Sequence, residues 1–117
     1  IHSDVKFVDI IRRHYLGILH QAGVKIYFYT QSNLHSKGLM IDNKIFSISS
    51  ANFDYRSFRY QYELALIGEE TSMIPQLRQH FDSTLKHCTS FNYQEWKNRS
   101  IFKRLSEVIL LPFRYLF

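Results

Sequence analysis

His35 and Lys37 stand two residues apart in the stretch His35-Ser-Lys37-Gly-Leu-Met-Ile-Asp42, and Ser49-Ser50-Ala-Asn52-Phe follows a few residues later. Side chains alternate along a β-strand, so an extended His-x-Lys puts an imidazole and an ammonium on one face. A neutral imidazole can attack phosphorus and split one hard displacement into two easier ones. An ammonium on the face of a core strand is costly to bury unless an anion meets it, and a phosphate oxygen is such an anion. Asn52 adds an amide N–H donor and Ser50 a hydroxyl, so Lys37, Ser50 and Asn52 form a candidate phosphate-binding set for the charge of a five-coordinate transition state. Glu63 sits between Tyr62 and Leu64 and needs a partner; the far ring nitrogen of His35 is one that would fix the imidazole tautomer. Asp42 is on the opposite strand face and at a turn, which argues for a structural role. Asp54 and Arg56 are expected to tie the Ser49–Arg59 loop together by hydrogen bonds.

Several elements must position these groups. Val5, Val8, Ile11, Tyr15 and Leu19 recur at helical spacing and predict a helix over about 4–22, capped by Ser3 or Asp4 and ended by Gly23. Strands are expected over 24–29, 34–41, 45–48 and 60–67, with Asp42-Asn43 turning a hairpin and Gly68 closing the last strand. A helix capped by Thr71 or Ser72 should run to about Cys88, presenting Ile74, Leu77, Phe81 and Leu85 and tolerating Pro75 in its first turn. A helical tail follows, apolar on every side after Val108 and interrupted by Pro112. The expected class is α/β: a half-domain with a mixed β-sheet flanked by helices over 1–90, then a C-terminal helical tail over 91–117 that is suited to a membrane surface.

Composition sets broad limits. The chain has 117 residues, 45% of them hydrophobic and 16% aromatic, enough for a packed core and against disorder. Fifteen Lys+Arg against ten Asp+Glu leave a net charge of +5, compatible with phosphate-bearing partners. The lone Cys88 excludes an internal disulfide and suits a reducing compartment. No 18-residue apolar run or signal peptide is visible, and the opening Ile1 followed quickly by structured text suggests a piece of a longer protein.

The pattern H-x-K-x4-D followed by S-x-N resembles the signature of the phospholipase D superfamily. "AGVKIYFY", "LHSKGLMID", "SSANFDYRSFRYQYELAL" and the W-x-x-R of Trp96–Arg99 resemble the C-terminal catalytic half of its bacterial cardiolipin synthase-like branch. The resemblance implies a phospholipase D-like fold and an active site lined by His35, Lys37, Asn52 and Glu63, with Asp42 outside it and no metal or other cofactor. Three positions depart from the pattern. Ser49 stands where glycine is usual, which suggests a slightly strained turn; Gln61 replaces an asparagine, and Gly38 replaces a threonine. The family's site takes two such motifs and this chain holds one, so an N-terminal half or a second copy should complete it.

The expected function is that of a phosphatidyltransferase making cardiolipin and glycerol from two phosphatidylglycerol molecules through a phosphohistidine. It would work at the anionic surface of a bacterial cell membrane, with the catalytic part on the cytoplasmic side. Lys97, Arg99, Lys103, Arg104 and Arg114 would face that surface. The competing readings are a dimeric endonuclease or phosphodiesterase of the same superfamily, and a non-catalytic docking half. The long tail after Glu63 argues against the nuclease and makes nucleic acid an unexpected partner; the intact set of reacting groups argues against the docking half.

Overall fold

A computed structural model of the chain describes residues 6–116, with the side chains of 7–115. It forms two compact units, Ile1–Phe28 with Thr89–Phe117, and Tyr29–Cys88.

In the first unit, α1 spans Lys6–Gln21. The expected caps Ser3 and Asp4 lie outside the described residues. Its C-terminus is closed by Gly23 at φ 89°: Gly23 N–H meets the His20 carbonyl and Val24 N–H the Leu19 carbonyl, both at 3.0 Å. Only a residue without Cβ takes that left-handed turn without strain. The strand expected from Val24 is shorter, β1 at Tyr27–Tyr29. It pairs with β5, Cys88–Ser90, a strand in place of the expected helix end at Cys88. After β5, the Asn92 side chain caps α4 (Tyr93–Lys97), and Ser100 caps α5 (Ile101–Leu110). Pro112 falls in a 3₁₀ segment, Leu111–Leu116, where the α-helical ladder has already stopped.

The packing of α1, α4 and α5 rests on one aromatic ring. Trp96 lies so close to α1 that a Cβ added to Gly17 would stand 2.0 Å from its ring. Its indole N–H donates to the Arg13 carbonyl at 2.7 Å. Arg99 stacks over that ring, its guanidinium carbon 3.8 Å from the centroid, and forks onto Glu107 at 2.8 and 2.7 Å. Glu107 is 1% exposed, and His14 Nδ1 approaches the same carboxylate at 3.6 Å. The outcome inverts the usual amphipathic rule: α5 buries its carboxylate and leaves Ile101, Phe102, Leu105, Val108 and Ile109 exposed.

In the second unit, β2 (Lys37–Ile41), β3 (Ile45–Ser49) and β4 (Ala65–Gly68) form an antiparallel sheet in the order β2-β3-β4. The α/β class holds, with the strands divided between two antiparallel sheets. Asp42 and Asn43 turn the hairpin with φ of 51° and 52°, and Lys44 N–H returns to the Ile41 carbonyl at 2.9 Å. Asp and Asn tolerate that left-handed pair better than most residues. One sheet face carries Phe46, 2% exposed, with its ring against Gly68, and Gly38 opposite Phe81 of α3. The helix α3 spans Met73–Leu85. It stops short of Cys88 because the Lys86 and His87 N–H groups both fold back to the Thr84 carbonyl. Neither Thr71 nor Ser72 supplies a side-chain cap: Ser72 is itself helical in backbone and makes no cap bond. The other face bears Lys37, Leu39, Ile41 and Ile67, and those three apolar side chains remain exposed.

Among the described residues only Ile11, Phe46 and Ile74 are buried apolar side chains. That is far less than the composition led us to expect, and the exposed apolar surface is correspondingly large.

Candidate active site

The register of the sheet explains why the singled-out residues gather. Lys37 pairs with Ser49, and Ser49 with Ala65, so this rung is the last at one end of the sheet. Just beyond it lie His35 before β2, Ser50 and Asn52 after β3, and Glu63 before β4. Adjacent strands are about 4.8 Å apart, so three short segments leave one narrow edge together. Neither His35 nor Glu63 is in a strand. The extended runs expected from Leu34 and Tyr60 begin later and do not include them. Tyr60 and Gln61 instead finish a short helix, both N–H groups reaching the Arg56 carbonyl, and β4 starts only at Ala65.

His35 and Lys37 meet although only Lys37 is in β2. Lys37 Nζ lies 3.1 Å from Nδ1 and 3.1 Å from Nε2 of the imidazole, and donates to the His35 carbonyl at 2.8 Å. An ammonium has donors only and one imidazole tautomer offers a single ring lone pair, so at most one of the two ring contacts is a hydrogen bond. The arrangement holds a cation against the imidazole. No carboxylate pairs with Lys37 among the described residues, and His35 is exposed.

Ser50 and Glu63 form the second cluster. Ser50 N–H donates to the Leu64 carbonyl at 3.0 Å, and Ser50 Oγ accepts the Leu64 N–H at 3.0 Å. Its one hydroxyl proton goes to Glu63 Oε2 at 2.5 Å. This corrects two expectations. Glu63 takes its hydrogen bond from Ser50, and none joins it to His35 among the described residues. Ser50 has no hydroxyl proton left for a phosphate oxygen, since its one donor is engaged by Glu63. Nor is Ser49 strained: it sits in β3 with an ordinary φ, because the loop begins one residue later than expected.

The segment after β3 is not a plain loop. Residues Tyr55–Arg59 form α2, capped by Asp54, whose Oδ1 accepts the Ser57 N–H at 2.8 Å. Arg56 contributes its carbonyl to the helix end, while its side chain is exposed. Asn52 is exposed, and its side-chain amide makes no hydrogen bond among the described residues. Asp42 is held in the hairpin turn at the opposite end of β2. Among the described residues no group of His, Cys, Asp and Glu is arranged to hold a metal ion.

Residues 1–85 match a family model described as "Cardiolipin synthase, PLD-like domain". The chain belongs to the phospholipase D superfamily, in its cardiolipin synthase-like branch. It is 35% identical over 107 residues to a cardiolipin synthase of Clostridium perfringens (strain SM101 / Type A), covering 92% of this chain and 22% of that protein. To cardiolipin synthase 1 of Bacillus anthracis it is 34% identical over 105 residues, 90% of this chain and 21% of the relative. A cardiolipin synthase of Alkalihalophilus pseudofirmus is 36% identical over 104 residues, 89% and 21% respectively. The chain thus spans about a fifth of the length of the curated relatives it matches. No solved structure matches it.

Membership in this branch accounts for the H-x-K spacing. It also sharpens what sequence reasoning missed: Ser57 and Gln61 join the loop to the Glu63 segment, and their only sequence signal was polarity at helix-start and turn positions.

Proposed function

We propose that this chain is part of a phosphatidyltransferase that moves a phosphatidyl group between two phosphatidylglycerol molecules. The observation that carries the reading is the Lys37 ammonium held 3.1 Å from both ring nitrogens of an exposed His35, with no carboxylate among the described residues to neutralise it. A phosphodiester entering there meets a nucleophile and a cation together.

His35 attacks phosphorus, and the bond from phosphorus to the headgroup glycerol breaks. The departing alkoxide takes a proton from a second imidazole, leaving glycerol and a phosphatidyl-histidine. The glycerol hydroxyl of a second phosphatidylglycerol then attacks phosphorus and returns its proton to that second imidazole. The phosphorus–nitrogen bond breaks, and cardiolipin leaves. Lys37 and Asn52 donate to the non-bridging oxygens as their charge grows. Glu63 is held by Ser50 at the same sheet edge.

The second imidazole comes from another H-x-K half, upstream in the same protein or in a second copy. The exposed apolar face of the sheet beside Lys37 supports such a covering half. Membrane contact falls to the tail. Its exposed cations are Lys97, Lys103 and Arg104; Arg99 is engaged by Glu107 and Trp96, and Arg114 reaches the hydroxyls of Tyr15 and Tyr115, so neither is free for a bilayer as expected. No helix among the described residues is long and apolar enough to cross a membrane. The catalytic part is placed at the inner face of a bacterial membrane in this reading.

The test is glycerol release and cardiolipin formation by the full-length protein in phosphatidylglycerol mixed micelles. Equimolar products are expected. Release of phosphatidate, or cleavage of DNA with no lipid product, would turn the assignment to a hydrolase or a nuclease of the same superfamily.

A further inference from the structure

Ser57 is a polar side chain only 5% exposed, and the reaction above does not use it. Its Oγ accepts the backbone N–H of Asn52 at 3.2 Å and donates to Gln61 Oε1 at 3.2 Å. Its own N–H is taken by Asp54 Oδ1. One hydroxyl therefore ties the chain just after β3 to the chain just before Glu63. The carboxamide of Gln61 spans the gap.

We infer that Ser57, held by Gln61, is a positioning residue for Asn52, and that the pair sets the aim of the Asn52 amide at the phosphate. The reason is mechanical. The Asn52 side chain is exposed and has no hydrogen-bond partner of its own among the described residues, so its direction depends on its backbone. That backbone is outside both strand and helix, and its N–H is fixed by Ser57 Oγ. A displacement of about 1 Å in a group that must meet a transition state costs about 100-fold in rate. The same clasp holds the segment leading to Glu63, so two of the site's three edges share one anchor. The inference rests on the reading of Asn52 as a phosphate donor.

The experiment uses full-length protein with Ser57→Ala, Ser57→Thr, Gln61→Leu and Gln61→Glu, each alone and combined with Asn52→Ala. Three quantities are read: glycerol release (kcat and KM), affinity for orthovanadate as a lipid-free anion probe, and the thermal midpoint. Ser57→Ala and Gln61→Leu should lower kcat by about 10- to 100-fold with KM for lipid little changed, and weaken vanadate binding by about tenfold. Ser57→Thr and Gln61→Glu keep the hydroxyl and the acceptor and should stay within about threefold of wild type. On the Asn52→Ala background neither loss should recur, because residues acting through one group are not additive. Losses that multiply with Asn52→Ala, or wild-type rate and vanadate affinity in Ser57→Ala, would overturn the inference. Should Ser57→Ala fail to melt cooperatively, Gln61→Leu decides, since Gln61 is exposed and its removal leaves no cavity. Wild-type protein that binds vanadate but releases no glycerol removes the lipid reading alone, and the Ser57 question is then settled on vanadate. Failure of wild type to bind vanadate sinks the anion site and this inference with it.

Discussion

Arg99 and Lys37 are both cations set beside an aromatic ring, and they differ in what surrounds them. Arg99 is 10% exposed at its side chain, forks onto a carboxylate that is 1% exposed, and donates to the Trp96 carbonyl as well. Its charge is answered inside the fold. Lys37 touches an imidazole and a carbonyl and has no anion among the described residues, and the imidazole beside it is open to solvent. The lesson is that a basic–aromatic motif carries chemistry when its charge is left unanswered. W-x-x-R holds one unit together; in the proposed site, H-x-K takes its anion from the substrate. The sharpest tests of this contrast are substitutions expected to separate activity from stability in opposite ways.

His35→Ala should give the largest effect and only on turnover. Loss of a nucleophile is expected to remove about 10⁴-fold or more of glycerol release, equivalent to about 5.5 kcal/mol at the transition state. The thermal midpoint should stay put, since substitution of an exposed side chain costs within about 0.5 kcal/mol. A variant that keeps most of its rate, or that melts many degrees early, would erase the contrast.

Glu107→Ala should do the reverse. It leaves the Arg99 guanidinium buried without its carboxylate, a loss of about 3–5 kcal/mol. The double substitution Arg99→Met with Glu107→Leu should recover much of that, because no charge is then stranded. Melting of the full-length variants, compared with vanadate affinity of whatever remains folded, checks both. Failure of the double variant to recover would mean the pair matters for more than its own neutralisation. Gly17→Ala attacks the same unit by sterics. A methyl 2.0 Å from the Trp96 ring cannot be accommodated unless the ring or α4 shifts, and overpacking of this kind costs about 1–3 kcal/mol. An unchanged melting curve would show that the ring is free to shift.

How much of this was legible beforehand follows a physical divide. The hairpin, Gly23 and the amphipathic α1 rest on local rules, the αL turn and the 3.6 spacing, and those are written in adjacent residues. That the segments carrying His35, Lys37, Asn52 and Glu63 leave one end of the sheet was readable in part: the order of segments gives it, while the extended runs expected through His35 and Glu63 do not form. What escaped was non-local. Cys88–Ser90 has no strand signal of its own and pairs because β1 offers it an edge. Tyr60–Leu64 looks like a strand by composition, yet α2 claims its first N–H groups. The Ser50 proton could not be assigned from sequence at all: its partner, Glu63, is brought near only by the register of β3 and β4. Arg99 was read as surface charge because Glu107 lies two turns along α5, and only the burial of that face joins them.

The smallest effect is expected at Gly38, beside Lys37. A glycine inside a strand weakens it, and here neither of the usual reasons for tolerating one applies. Its φ is not in the left-handed region, and a Cβ would rest 3.6 Å from the Phe81 ring, an ordinary contact. Gly38→Ala should therefore stabilise the protein by about 0.5–1 kcal/mol, chiefly by narrowing the unfolded ensemble. It should leave turnover unchanged, because the new methyl points to the α3 side of the sheet and Lys37 to the other. A fall in rate with no loss of stability would show that the Lys37 ammonium needs the looseness glycine gives to leave the imidazole and follow a phosphate. The contrast with Arg99 would then extend from charge to motion.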